Sequence, residues 1–159
     1  MKKILVTGCG GQVGTELVAH LRGLYGDANV MASDFRAQEG HSGPFALLDV
    51  RDGKAVAALL DSFKPDTVMH LAGILSARGE ERPQQLWETN MGGTYNMLEA
   101  ARERGCAVFF PSSIAAFGPG TPADRTPQDT IQRPTTIYGV SKVTGELLGE
   151  YYHLKYGLD

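Results

Sequence analysis

The sequence predicts an α/β protein built on a doubly wound, parallel β-sheet of about five strands. Short apolar runs rich in β-branched residues alternate with longer stretches of helical periodicity, an alternation typical of βαβ units. The apolar runs are nearly continuous, as expected for strands that helices cover on both faces. The 159 residues suffice for one domain with its own core but not for two.

The predicted strands lie, in chain order, at residues 4–7, 30–33, 45–48, 67–71 and 107–111. The first strand runs into glycines, the second into an aspartate, and the fifth into two serines. Parallel sheets bind their ligands at the carboxyl ends of the strands. We therefore expect the functional residues to follow these strands.

Helical periodicity predicts four helices, over residues 13–24, 53–63, 83–104 and 136–156. Pro83 suits the first turn of its helix, where a missing N–H costs nothing, and Gly105 suits a C-terminal cap. Residues 118–134 hold four prolines among polar side chains, which predicts a surface loop. The last helix is predicted to run to the end of the chain at Asp159, with no strand after it.

Composition favours a soluble cytoplasmic protein that binds neither nucleic acid nor membrane. The net charge is -3, so the surface has no general attraction for polyanions. No apolar run approaches the length that crosses a bilayer, and the run after the N-terminal lysines is too short for a secretory signal. The two cysteines, Cys9 and Cys106, lack metal-ligand spacing, so we expect reduced thiols and no metal.

Three glycines at three-residue spacing, Gly8, Gly11 and Gly14, connect the first strand to the first helix. Such glycines allow a tight turn, close approach of a pyrophosphate and close packing of the helix on the strand. Gln12 and Val13 open the helix, where free N–H groups face the phosphate charge. A glycine turn by itself can be purely structural, but strand before and helix after match a Rossmann-type dinucleotide site.

Asp34 supports this interpretation because it follows the second strand, 20 residues after Gly14. An acid there can accept both ribose hydroxyls of NAD and would repel the 2′-phosphate of NADP. Arg36 could soften that repulsion, but the acid favours NAD. The same side chain in isolation would be a turn or cap residue.

Two further strand ends are predicted to contact the cofactor. Asp49 and Val50 follow the third strand and are placed to meet the adenine ring. Residues 70–73 (HLAG) end the fourth strand, where small residues would let the backbone pass close to NAD; the cofactor-binding candidates there are Leu71, Ala72 and Gly73. His70 precedes them and could be catalytic, but no partner acid or nucleophile is spaced for it, so a structural histidine is favoured.

The predicted chemistry rests on Tyr138 and Lys142, which share one face at the start of the last helix. A cation beside the phenol would stabilise the phenolate and make it a usable base, and the lysine can also bind the nicotinamide ribose. Ser112 and Ser113 end the fifth strand; Ser112 is a cofactor-binding candidate, and Ser113 could hold the same substrate oxygen. Asn90, inside the third predicted helix, is a further cofactor-binding candidate or a plain surface amide.

With these residues in order, the sequence resembles extended short-chain dehydrogenases/reductases of the NAD-dependent epimerase/dehydratase superfamily. It is most similar to the short-chain type of L-threonine 3-dehydrogenase. The closer match is carried by residues 70–77 (HLAGILSA), 111–119 (PSSIAAFGP), 126–130 (TPQDT) and 134–142 (PTTIYGVSK). The resemblance spans essentially the whole chain.

That resemblance implies NAD-dependent oxidation of L-threonine to 2-amino-3-ketobutyrate. Tyr138 would take the proton of the C3 hydroxyl, Ser113 would hold the oxygen, and Lys142 would lower the tyrosine pKa and bind the ribose. Ser76 would line the amino-acid pocket.

Family members continue with a further strand and a small substrate domain. Residues 1–159 are therefore interpreted as an NAD-binding Rossmann domain that lacks the later strands and the substrate domain. Two alternatives stay open: an NAD-binding fragment without turnover, and a nucleotide-sugar epimerase or dehydratase. A homodimer through the two long helices is also expected. The first of these helices carries more apolar surface than one sheet face needs, in Leu86, Trp87, Met91, Tyr95, Met97 and Leu98. A core role for this apolar stripe is about as well supported as an interface.

Overall fold

The computed structural model describes residues 2–38 and 42–159. In these described residues, five strands form one sheet in the order β3-β2-β1-β4-β5, and every pairing is parallel. The strands are β1 (Ile4–Thr7), β2 (Val30–Asp34), β3 (Phe45–Leu47), β4 (Thr67–His70) and β5 (Ala107–Phe109). The predicted fold class, a doubly wound parallel sheet of five strands, is confirmed.

The strand order places a crevice beside the central strand. The chain steps outward from β1 to β3, then crosses back to form β4 and β5 on the other side of β1. The connections after β1 and β4 therefore leave in opposite directions, and ligands of open parallel sheets bind at such a switch point.

The helices of the described residues pack on both faces of the sheet. They are α1 (Gln12–Tyr25), α2 (Gly53–Phe63), α3 (Ser76–Glu81), α4 (Pro83–Leu86), α5 (Gly93–Arg104) and α6 (Ile137–Tyr156). Within the described part of the chain, no helix is both long and apolar enough to cross a membrane.

The core divides into two clusters because side chains alternate between the faces of a strand. Leu5 of β1 joins the cluster formed with α2, α5 and α6. Ile4 and Val6 join the opposite cluster, which includes Val18 and Leu21 of α1. All three β1 residues are fully buried, so β1 contributes to the core on both faces of the sheet.

The predicted helix over residues 83–104 is helical throughout but is not a single α-helix. Residues Trp87–Gly92 form a π-helical segment between α4 and α5. Such a segment inserts an extra residue into the helix and changes which side chains face inward. The ends of this stretch are as predicted: Pro83 is in the first turn, and Gly105 caps α5 in the left-handed conformation.

Other predicted boundaries need small corrections. Strands β3, β4 and β5 end one or two residues earlier than predicted, and α1 begins one residue earlier. Thr136 is the N-cap of α6, and its hydroxyl accepts a hydrogen bond from Gly139 N–H at 3.0 Å. The helix α3 was not predicted. The last helix ends at Tyr156, after which Asp159 O accepts a hydrogen bond from Val108 N–H at 2.7 Å. Residues 118–134 contain neither helix nor strand, which confirms the predicted loop.

Candidate functional site

The connection from β1 to α1 is a glycine turn with an open helix N-terminus. Gly8 has φ +70°, a conformation that favours glycine, and its carbonyl accepts from Gly11 N–H at 3.1 Å. Gly11 is the N-cap and brings no side-chain acceptor to the first N–H groups of α1. Those groups, at Gln12 and Val13, lack an acceptor within the helix and can bind an anion.

Two of these glycines allow contacts that any side chain would prevent. A Cβ on Gly14 would lie 2.3 Å from Gly8 O, and a Cβ on Gly8 would lie 2.7 Å from Ala72 N. The turn is therefore packed between α1 and the segment that follows β4. This close packing agrees with the prediction that the glycines allow a tight turn and close packing of the helix on the strand.

Asp34, the last residue of β2, lies directly against the glycine turn. Its Oδ2 accepts from Gly10 N–H at 3.0 Å, and its Oδ1 accepts from Arg36 N–H at 3.3 Å. Each carboxylate oxygen keeps a lone pair for a further donor such as a ribose hydroxyl. The Gln38 side chain covers the turn from outside, since a Cβ on Gly10 would lie 2.4 Å from Gln38 Nε2. Sequence patterns gave no sign of this last contact.

His70 at the end of β4 supports the neighbouring backbone. Its Nδ1 is 2.9 Å from Thr7 Oγ1, which accepts from Ala72 N–H at 3.2 Å. Burial, followed by the positive charge of Lys142, lowers the pKa of His70 to about 4. The ring is therefore neutral at pH 7. These contacts favour the structural interpretation of His70 over the catalytic one.

Asn90 is buried, so its interpretation as a surface amide is wrong. Its Oδ1 accepts from Ile74 N–H at 2.7 Å, and its Nδ2 donates to Ile74 O at 3.1 Å and to Ser141 Oγ at 3.3 Å. The π-helical segment carries this side chain toward the backbone after β4 and toward α6. Asn90 therefore joins three parts of the site, and its contact with a cofactor stays a prediction.

Asp49 and Val50 follow Leu48, whose N–H donates to Asp34 O at 2.8 Å. The Asp49 carboxylate pairs with Arg51, with Nη2 to Oδ2 at 2.6 Å, and this hydrogen bonding lowers the pKa of Asp49. It borders an open groove beside Trp87 and Glu88. Val50 is buried, and a Cβ on Gly93 would lie 2.6 Å from its Cγ2. Their predicted contact with adenine stays a prediction.

Tyr138 and Lys142 share one face in the first turns of α6. Lys142 Nζ lies 5.5 Å from the centroid of the Tyr138 ring and 4.6 Å from that of the Phe110 ring. It donates to Pro111 O at 2.8 Å. Burial lowers the pKa of Lys142, while the carbonyl and the ring faces stabilise the charged ammonium. The helix therefore holds a cation beside the phenol ring.

The two serines after β5 have separate partners. Ser113 Oγ accepts from Ala115 N–H at 3.2 Å, in the 3-10 turn Ile114–Ala116. That turn packs on the start of α6, because a Cβ on Gly139 would lie 2.2 Å from Ala115 O. Ser112 Oγ donates to Glu146 Oε1. The packing at Gly139 brings the Ser113 turn to the helix turn that carries Tyr138.

A cavity of about 40 Å³ lies between the end of β4 and α6. Many predicted site residues line it; they are Leu71, Ala72, Gly73, Asn90, Tyr138 and Lys142. Thr94 and Ser141 also line it; sequence reasoning missed Thr94 because it belongs to no motif, and Ser141 because only the tyrosine and lysine of its motif were assigned roles. Ser76 begins α3 just beyond the cavity, and Glu80 Oε1 of α3 accepts from Ile137 N–H at 2.9 Å. No cluster of metal-ligating side chains occurs in residues 2–38 and 42–159.

Comparison with known proteins gives consistent results. Residues 4–159 match the model of the NAD dependent epimerase/dehydratase family. An uncharacterized epimerase/dehydratase of Staphylococcus saprophyticus is 56% identical over 100% of this chain and 51% of its own length. The chain thus spans about half the length of this relative.

Solved structures are similar over the same extent. The L-threonine dehydrogenase of Clostridium difficile is 51% identical, with a TM-score of 0.98 over 100% of this chain and 51% of that one. A monomeric L-threonine 3-dehydrogenase from a metagenome, in its apo form, is 42% identical, with a TM-score of 0.95 over 98% of this chain and 51% of that one.

Proposed function

Because this chain belongs to the NAD dependent epimerase/dehydratase family, we propose that it is the NAD-binding part of an L-threonine 3-dehydrogenase. The observation that carries the proposal is that one residue in the cavity wall, Ala72, links the Tyr138–Lys142 pair to the glycine turn. Ala72 packs against Gly8 on one side and lines the cavity with Tyr138 and Lys142 on the other. The similarity to two L-threonine dehydrogenases supports the choice of substrate.

The residues around the glycine turn fit NAD. The N–H groups of Gln12 and Val13 would bind the pyrophosphate, and Asp34 would accept the adenine-ribose hydroxyls while repelling a 2′-phosphate. When bound, NAD⁺ supplies the acceptor for the hydride that leaves the substrate. Lys142, whose ammonium is anchored by Pro111 O, would hold the second ribose.

Tyr138 would act as the base that takes the proton of the C3 hydroxyl of threonine. Lys142 places a cation beside the phenol, since its Nζ lies 5.5 Å from the ring centroid. Ser113 would donate to the same oxygen, and Ser76 would contact the amino-acid part.

The test is formation of NADH by the purified chain with NAD⁺ and L-threonine, alongside a Tyr138→Phe variant. We expect turnover in the natural chain and its loss in the variant, with NAD⁺ binding retained in both. Binding of NAD⁺ without turnover would contradict catalysis by this chain and favour an NAD-binding fragment. Conversion of a uridine-diphosphate sugar instead of threonine would favour the epimerase alternative.

A further inference from the structure

Glu146 lies on the same face of α6 as the catalytic pair. Tyr138, Lys142 and Glu146 follow one another at four-residue spacing, so the three side chains project from successive turns. The structure gives Glu146 two hydrogen-bond partners in other parts of the chain. Neither is explained by the chemistry proposed above.

The first partner is the end of β5. Ser112 Oγ donates to Glu146 Oε1, and Lys142 Nζ donates to Pro111 O at 2.8 Å. Two successive turns of α6 therefore hold two consecutive residues of the strand end. Ser113, which the proposed function places on the substrate oxygen, follows directly.

The second partner lies in the proline-containing loop before α6. Gln132 Nε2 donates to Glu146 Oε2 at 2.9 Å. The two ends of that loop meet, since a Cβ on Gly118 would lie 1.8 Å from Arg133 O. One carboxylate thus binds the strand end, the helix and the loop together, and hydrogen bonds to a carboxylate are stronger than those between neutral groups.

We propose that Glu146 is a positioning residue that holds the strand end and the loop in place around Lys142 and Tyr138. This role rests on the proposed function. Without the carboxylate, Ser112 and Gln132 lose their shared acceptor, and the backbone carbonyl that anchors Lys142 is freer to move. Because these contacts lie at the nicotinamide end of the site, loss of Glu146 weakens binding of that half of NAD⁺ and spares the adenosine half.

The test measures calorimetric dissociation constants of the chain for NAD⁺ and for ADP, which lacks the second ribose and the nicotinamide. We expect Glu146→Ala to weaken NAD⁺ binding by about tenfold and to change ADP binding by less than about twofold. Glu146→Gln, which keeps one acceptor oxygen, should lose less. Glu150→Ala is the matched control, because Glu150 is an exposed glutamate one turn further along the same helix.

Unchanged NAD⁺ binding in Glu146→Ala, or equal losses for NAD⁺ and ADP, would overturn the positioning role while leaving the proposed function intact. If the natural chain bound neither ligand, the proposed function would fail, and the role of Glu146 with it. A loss in Glu150→Ala equal to that in Glu146→Ala would also overturn the proposal, since Glu150 does not share these partners.

Discussion

The buried histidine at the end of β4 should make the stability of this chain depend on pH. The His70 ring is fully buried, and burial, followed by the charge of Lys142, lowers its pKa from 6.5 to about 4. Below pH 6.5 the unfolded chain therefore binds a proton that the folded chain does not. The stabilisation is complete above pH 6.5 and is lost as the pH falls toward 4.

The magnitude follows from linkage. Between pH 6.5 and pH 5 the folded ring stays neutral while the unfolded ring becomes charged, at about 1.4 kcal/mol for each pH unit, or about 2 kcal/mol in all. Urea unfolding followed by Trp87 fluorescence at pH 7 and pH 5 would measure this loss. We expect His70→Gln to lose about 2 kcal/mol less over that interval, because a glutamine does not titrate.

The control is His20→Gln, because His20 is exposed. This substitution should leave the pH dependence of stability as it is in the natural chain. Equal pH dependence in the natural chain and in His70→Gln would refute a neutral, buried His70. It would also remove the physical reason for treating this ring as structural.

Three further predictions concern packing, a buried charge and assembly. Gly14→Ala should lower the unfolding free energy by about 1–3 kcal/mol through overpacking, because its Cβ would lie 2.3 Å from Gly8 O. Gly23→Ala, whose Cβ would have nothing within 4 Å, should raise the unfolding free energy by about 0.5–1 kcal/mol. Shifts of the same sign in thermal unfolding would contradict this. Arg22→Met should lower stability by about 2 kcal/mol or more, since the buried guanidinium donates to the carbonyls of residues 30, 42 and 44; an unchanged urea midpoint would refute it. Light scattering should give the mass of a dimer, and a monomer after Leu147→Glu with Leu154→Glu, both exposed on α6; a monomeric natural chain would end this idea.

The structure leaves less exposed apolar surface for a dimer interface than the sequence indicated. Of the six apolar residues expected on the helix over 83–104, four belong to the core of this chain; they are Leu86, Met91, Met97 and Leu98. Trp87 and Tyr95 stay exposed and could pair with the exposed residues of α6. A relative described as monomeric has the same fold, so the fold by itself does not require a dimer.

The sequence predicted best the features that depend on local spacing. The turn at Gly8, the acid at Asp34 and the pair Tyr138–Lys142 each follow from a local signal: glycine spacing between a strand and a helix, an acid at a strand end, and four-residue spacing on a helix. The parallel sheet itself followed from apolar runs that helices cover on both faces.

The features that the sequence did not predict depend on contacts between distant segments or on weak patterns. Asn90 bonds to Ser141 across 51 residues, and Glu146 bonds to Ser112 across 34, which no local motif encodes. The helix α3 has the sequence SARGEE, with no apolar periodicity to indicate it. The π-helical segment was missed because a helical pattern in the sequence does not distinguish a single π-helical turn from regular α-helix.

In the proposed function, this chain binds NAD⁺ and uses Tyr138 to oxidise threonine at C3. The most direct measurement is the fate of the label when L-threonine carrying deuterium at C3 is incubated with the chain and NAD⁺. We expect deuterium to appear in the reduced cofactor, and no reduced cofactor to form with Tyr138→Phe. Reduced cofactor without the label, or equal rates in the two chains, would contradict it.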